Sequence, residues 1–263
     1  MPLNINTNAA ASSASYHLSK NNAALQKSLT RLSSGSRITQ PADDAGGLAV
    51  SMKLSGTINR LSGVEKNIDN AISFLQVQDG VLDSAGKILD RMAELKALSQ
   101  DVLKNDSDIA NYNAEFKNLQ VQLYQMSETT FNGVSLFATT YSAGNVTFNT
   151  SGSGNTVSIF TSATGESGSI VSINKTALLA ALTIDASSVS DKKSFQQAGR
   201  GEVRSFGSAT TGAAFELGEV SVAVFTQALQ NVATLRAENG GSVSRLQFSK
   251  ESAAAQKTNL EAA

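Results

Sequence analysis

Few side chains in this 263-residue chain are of types that do chemistry. Its one histidine, His17, stands beside Tyr16 in a polar helix-forming segment, with no second imidazole to share a metal or pass a proton. Without cysteine there is no thiolate nucleophile, no disulfide framework and no thiolate metal site. The carboxylate groupings are Asp43–Asp44, Asp106 with Asp108, and Glu216 with Glu219. None has a histidine or a third carboxylate at ligand spacing, and Asp43–Asp44 falls where a helix start favours negative charge. Ser151-Gly152-Ser153-Gly154-Asn155 is glycine-rich but lacks the strand and the lysine of a phosphate loop. These groups read as solvated or capping residues: no enzyme, no metal and no cofactor.

The charge balance excludes further classes. Twenty-one basic side chains against 22 acidic ones leave no basic surface for nucleic acid. No apolar run reaches the roughly 18–20 residues that span a bilayer, so no membrane insertion is expected. The opening MPLNINTNAAASSASYHLSK lacks the basic and apolar regions of a Sec signal, so export would use another route.

What the sequence has instead is helical periodicity. From Leu54 to Leu103, steps of seven meet Leu54, Leu61, Ile68, Leu75, Leu82, Leu89, Lys96 and Leu103. A second row, offset by four, carries Ile58, Ile72 and Ala93, interrupted by Glu65, Asp79 and Gly86. At about 1.5 Å per residue this is a rod of roughly 75 Å, which needs partners along its length. Ahead of it, Leu18, Leu25, Leu29 and Leu32 mark a sparser helix ending near Ser33-Ser34-Gly35. Such a helix is marginal alone and reads as one that folds against other subunits, or as a frayed terminus.

After the rod, Asn105-Asp106-Ser107-Asp108 is a turn with an N-cap candidate for a helix with Ile109, Tyr112, Phe116, Leu119, Leu123 and Met126, turning back onto the rod. Phe131-Asn132-Gly133-Val134 is a tight turn. From Ala138 to about Gly212 serine, threonine, glycine and asparagine dominate. Val146–Phe148 and Val157–Phe160 read as a hairpin, Ile170–Ile173 as a strand and Thr176–Leu182 as a short helix. A last helical stripe, Val222, Phe225, Leu229 and Val232, resumes at Val243 and Leu246, with Arg236 and Asn239 where apolar residues would fall. Asn239-Gly240-Gly241 is expected to bend or loosen it.

The expected fold is therefore mainly α: a long antiparallel helical bundle or coiled-coil rod with a small β-rich inserted segment. The expected core is Leu54, Ile58, Leu61, Ile68, Leu75, Leu82 and Leu89, with Phe116, Leu119 and Leu123, and Phe225, Leu229 and Val232. The expected divisions are 1–44 (terminal helix and linker), 45–137 (first half of the rod), 138–212 (β-rich segment) and 213–263 (second half of the rod).

Three stretches of this sequence resemble bacterial flagellin: INTN followed by SLTRLSSGSRITQPADDAGGLAVS (Ser28–Ser51), FNGVSLF (Phe131–Phe137) and QALQNVATLRAENGGSVSRLQF (Gln227–Phe248). The resemblance implies an extracellular subunit of the flagellar filament. Its terminal helices would form an inner coiled-coil tube, with a helical bundle around that tube and the middle of the chain facing outward. Implied partners are further copies of itself, the flagellar type III export apparatus, and the cap and junction proteins. Family members continue with a further terminal helix beyond the NLEAA at which this sequence stops, so these 263 residues are expected to stay monomeric or assemble poorly.

The resemblance also implies an immune-receptor surface. In many flagellins a Toll-like receptor reads the pattern L-x-R-x-x-E-L, matched here by Leu89, Arg91, Glu94 and Leu95, with Glu115 in the supporting position and Leu98 in place of a common glutamine. Filament contacts are implied around Arg31, Arg37, Asp43, Asn59, Arg60, Arg236 and Arg245. Alternatives are a hook–filament junction protein, or a truncated soluble receptor ligand or adhesin.

Overall fold

A computed structural model of the chain describes residues 8–138, 155–185 and 203–262. It is mainly helical, with three two-stranded antiparallel sheets among the described residues. In order the elements are α1 (Ala9–Ser34), α2 (Ala45–Leu98), α3 (Asp106–Ser127), β1 (Thr130–Phe131), β2 (Val134–Ser135), β3 (Thr156–Phe160), β4 (Ile170–Asn174), α4 (Leu178–Ala181), β5 (Thr183–Asp185), β6 (Val203–Ser205) and α5 (Val222–Ala262). Two compact units result, Met1–Asn59 and Arg60–Ala262, and the division falls inside α2.

In the first unit α1 is capped by Asn8, whose side chain accepts from the amides of Ala10 and Ala11. It ends at Gly35, in the left-handed conformation, and buries none of its own residues. Asp44 caps α2: its Oδ1 accepts from Gly47 N at 2.8 Å, and its carbonyl takes the first helical bond, from Leu48 N. The close approach at Gly47 leaves no room for a side chain, since a Cβ there would lie 2.5 Å from Asp44 Oδ2 and 3.0 Å from Ile38 Cδ1. Leu54 and Ile58 are only half-buried and fall outside the core cluster, which begins at Leu61.

In the second unit Leu61, Ile68, Leu75, Leu82 and Leu89 are buried. Their companion row lies three residues on rather than four, at Val64, Ala71, Gln78, Ala85 and Met92. Alternating steps of three and four keep one stripe facing a partner. Alanine and glutamine carry little apolar signal, which is why the offset-of-four row looks stronger by eye. Phe74, Ile88 and Leu95 add a third buried row. The stripe does not extend to Leu103, because α2 stops at Leu98 and Leu103 is 92% exposed.

Two helices cover this wide stripe. Arg236 meets Asp79 and Asp83, Asn239 meets Leu75, Lys250 meets Asp69 and Lys257 meets Glu65, so α5 runs antiparallel to α2. The α5 stripe is Val224, Phe225, Ala228 and Val232; Leu229 is partly buried, and Val222 points outward at 44% exposure. The helix continues through Asn239-Gly240-Gly241 without a break. There Asn239 Nδ2 donates to Leu75 O at 2.8 Å, tying this glycine-weakened turn to α2.

On the other flank α3 opens with a capping box, in which Asn105 accepts from Asp108 N and Asp108 accepts from Asn105 N. It buries Phe116, Gln120 and Leu123, with Leu119 packed at the margin. The β1–β2 turn places Asn132 and Gly133 at φ 49° and 78°, the paired left-handed geometry that suits a two-residue hairpin.

The inserted segment packs onto the same core. β3 pairs with β4, from Thr156 opposite Asn174 to Phe160 opposite Ile170; the Val146–Phe148 half of the expected hairpin lies outside the described residues. Phe206 stacks on Phe225 at 5.2 Å, and Phe215 and Phe116 meet that pair edge-on.

Candidate interaction surfaces

Among the described residues no three His, Asp or Glu side chains gather to hold a cation. His17 is exposed and meets only the edge of Tyr16, 5.8 Å away. No described helix is long and apolar enough to cross a membrane. What the fold does offer is surface.

One apolar surface is on α1. Leu18, Leu25, Leu29 and Leu32 recur at helical spacing and are 55–81% exposed. Behind them the linker folds onto the helix end through Asp43. Its carboxylate, only 8% exposed, takes Lys27 as an ion pair, Arg31 at 3.6 Å and the Thr39 hydroxyl at 3.3 Å. Chiefly through the hydrogen bond from Lys27, that carboxyl titrates below its ordinary range. Asp43 and Arg31 therefore serve inside this unit, whereas Arg37 and Asn59 are exposed.

The second surface centres on Arg91. Its Nε and Nη2 meet both carboxylate oxygens of Glu115, at 2.8 and 3.2 Å, and Nη1 meets Glu94 at 2.7 Å. The two carboxylates, Glu115 foremost, raise the arginine's pKa further. Arg91, Glu94 and Glu115 are about half exposed, and Leu98 stands at 36%. Leu89 and Leu95, the other members of the matched pattern, are fully buried. They face α2's partner helices because they lie on its core rows, so no partner reaches them while the bundle is folded.

Arg236 is likewise engaged within the fold rather than presented. It is bidentate to Asp79 at 2.9 and 3.2 Å and reaches Asp83 at 2.8 Å, and these acids, Asp79 first, raise its pKa. Arg60 Nε donates to Ala163 O at 3.0 Å, while Arg245 is exposed.

Three clamps escaped the sequence reading. Gln120, wholly buried, donates to Phe215 O and accepts from Phe215 N; Asn113 accepts from Leu217 N; and Lys96 Nζ donates to Leu217 O at 2.6 Å. Burial lowers the Lys96 pKa. Together they pin the strand-free segment before α5 across 95 to 121 residues of chain, a separation that no local pattern registers. Also unforeseen is an apolar groove of about 280 Å³ lined by α2, the β1–β2 hairpin and β3.

A family model, the bacterial flagellin N-terminal helical region, matches residues 5–142. The chain is 35% identical over 143 residues to the flagellar filament 30.7 kDa core protein of Treponema maltophilum, covering 54% of this chain and 50% of that one. Against flagellin of Bacillus subtilis (strain 168) it is 36% identical over 148 residues, 55% of this chain and 49% of that one. The chain thus spans about half the length of these curated relatives. Among solved structures, the crystal structure of Bacillus cereus flagellin aligns with 75% of this chain and 85% of its own, at 17% identity and a TM-score of 0.37.

Proposed function

The chain belongs to the bacterial flagellin family, and from that premise we propose that it is a structural subunit that polymerises into a flagellar filament outside the cell and catalyses nothing. The observation that carries this reading is α1: 26 residues of helix that bury nothing, with four leucines open to water. An isolated helix of that kind is marginal, and packing against other copies would supply its missing cover. Heterologous contacts between such copies generate an open helical polymer. Export by the flagellar type III apparatus and contact with cap and junction proteins follow from the same reading.

Seeded assembly tests it. With fragments of native filaments as seeds, the chain is expected to extend them, as seen by electron microscopy. The variant Leu18→Ser/Leu25→Ser/Leu29→Ser/Leu32→Ser is expected to melt like the parent but not to extend. Equal extension by both would refute the role given to α1.

We further infer that the Arg91 surface is what an innate-immune flagellin receptor would read. The accessible groups there reduce to Arg91, Glu94, Leu98 and Glu115. Arg91→Asp is expected to abolish receptor signalling by purified monomer. Unchanged signalling, or none from the parent chain, sinks the idea.

A further inference from the structure

At the C-terminal end of α3 a cavity of about 410 Å³ opens between that helix, α4 and the segment after β5. Sites that take small ligands occupy roughly 300–1,000 Å³. One wall is fixed by Gly207, where a Cβ would lie 2.7 Å from Leu179 Cδ2 and 3.4 Å from the Tyr124 backbone. The segment comes up against α3 because no side chain intervenes there, and Ser208 N holds it by donating to Gln120 O at 3.3 Å.

The side-chain donors of these walls are already used. Ser127 Oγ donates to Tyr124 O at 2.6 Å, Ser205 Oγ to Leu179 O at 3.2 Å and Ser208 Oγ to Thr210 O at 2.8 Å. The Tyr124 phenol stands beside Glu128, whose charge first, then burial and a hydrogen bond between the two, push its pKa up. Among the described residues no lysine, arginine, histidine or amide side chain lines the cavity. What meets a guest is lone pairs and one carboxylate.

That carboxylate is poorly served by the fold. Glu128 is the C-cap of α3, at the negative end of the helix macrodipole, and the last turn carries no basic residue. Glu94, Glu115 and Glu216 each meet an arginine or a lysine, whereas among the described residues Glu128 meets the phenol alone. It is exposed, so a guest can reach it. A positive charge in the cavity would answer both the carboxylate and the helix end.

The walls select which cation. A metal ion wants several oxygens converging on one point, and no three acidic or histidine side chains gather among the described residues. Leu179, Ala138 and Ala213 instead offer apolar wall for a methylene chain.

We propose that this cavity binds a primary alkylammonium, with its charged head on Glu128 and its methylene stem along Leu179. Short polyamines and the lysine side chains of other proteins share that chemistry. The site is complete in one copy of the chain, so it stands or falls independently of the filament reading.

Calorimetry and tyrosine emission follow binding to the full chain, which has no tryptophan to mask that signal. Pentylamine is expected to bind, and its neutral and anionic counterparts, pentanol and pentanoate, are not. Glu128→Gln is expected to weaken pentylamine roughly tenfold, the usual worth of one charge-assisted hydrogen bond. Ala209→Phe, at an exposed position on the cavity wall, is expected to melt like the parent and to abolish binding. Tyr124→Phe is expected to bind but to lose the emission change. Cadaverine against Nα-acetyl-lysine methylamide separates the two sources: tighter cadaverine assigns the site to free polyamines, tighter lysine to a protein side chain, and either upholds it. Equal binding of pentanol, displacement of the amine by calcium, or an affinity unchanged in either Glu128→Gln or Ala209→Phe would overturn the proposal. So would the absence of heat at millimolar pentylamine.

Discussion

Residues 9–34 and residues 61–96 both place leucines at helical spacing, yet the two helices differ in width of stripe and in company. On α1 the leucines stand in one narrow row, with Asn22, serines and lysines around them, and every one is exposed. On α2 three adjacent rows are buried, a face broad enough for two partners, and α3 and α5 supply Phe116, Leu123, Phe225 and Val232 against it. Helical spacing declares that a face needs cover. It does not say whether the same chain provides it. Here the described residues of the second unit cover the α2 stripe, while α1 keeps its own open.

The sharpest way to break that contrast is to delete the same side chain on each helix. Leu82, fully buried in the middle of the stripe, is expected to cost about 3–4 kcal/mol when replaced by alanine, through lost transfer energy and a residual cavity. Leu25→Ala, at a position 60% exposed, is expected to change monomer stability by less than about 0.5 kcal/mol. Urea unfolding followed by circular dichroism reads both. Equal losses would mean that α1 is covered in the monomer after all.

How far the sequence foretold these regions depends on how local each cause is. The ends were legible, because caps and turns act over three or four residues: Gly35 closing α1, the Asn105–Asp108 turn opening α3 and Asn132-Gly133 in the hairpin. The long heptad row was legible from Leu61 to Leu89, but its true companion row was hidden in Ala71, Gln78 and Ala85. Arg236 looked like a fault in the α5 stripe, and Asp79 like a fault in the second α2 row. They are one feature, since two interruptions of opposite charge on facing helices are an ion pair. The signal is the pairing of the two faults, which neither row shows by itself. The Gln120–Phe215 clamp gave none, since nothing near either residue marks the other.

Buried polar groups sharpen the picture of the covered region, because two of them are expected to respond with opposite sign. Gln120→Ala strands both the amide and the carbonyl of Phe215 and is expected to cost about 2–3 kcal/mol. Asn239 donates to Leu75 O, a carbonyl inside a helix, while its own Oδ1 is buried with no partner. Asn239→Leu therefore removes an unsatisfied atom and is expected to raise stability by about 1 kcal/mol. The same urea titration checks both. A loss at Asn239 matching that at Gln120 would show that its single hydrogen bond, rather than the orphaned oxygen, dominates.

Smaller effects belong to the first unit, where few groups are buried. Gly47→Ala drives a methyl into the Asp44 carboxylate that caps α2 and is expected to cost about 1 kcal/mol, the usual worth of a cap. Hydrogen exchange at the first turn of α2 is the measurement, with Asp44→Ala as the reference. If Gly47→Ala left protection unchanged while Asp44→Ala lowered it, the carboxylate would have found another route to the amides.

Asp43 gives the smallest effect and the one with a pH signature. The Lys27 hydrogen bond first, then the positive charges of Lys27 and Arg31, hold its carboxyl below the ordinary value, against the opposing pull of burial. A carboxylate lowered in the fold binds fewer protons there than in the open chain between the two values. Its stabilisation is therefore complete above the ordinary carboxylate pKa of about 3.9 and is lost as pH falls through the lower folded value. Exchange of the peptide covering residues 36–44 is expected to be flat with pH, after correction for intrinsic rates, down to about pH 4–5 and then to quicken. Asp43→Asn is expected to quicken it at neutral pH and to abolish the acid step. Lys27 and Arg31 are about half exposed, so salt should weaken the strap in the parent and not in the variant. An acid step of the same size in Asp43→Asn would place its origin elsewhere. The linker would then be held by backbone bonds such as Asp43 N to Gln40 O, and α1 would owe nothing to charge.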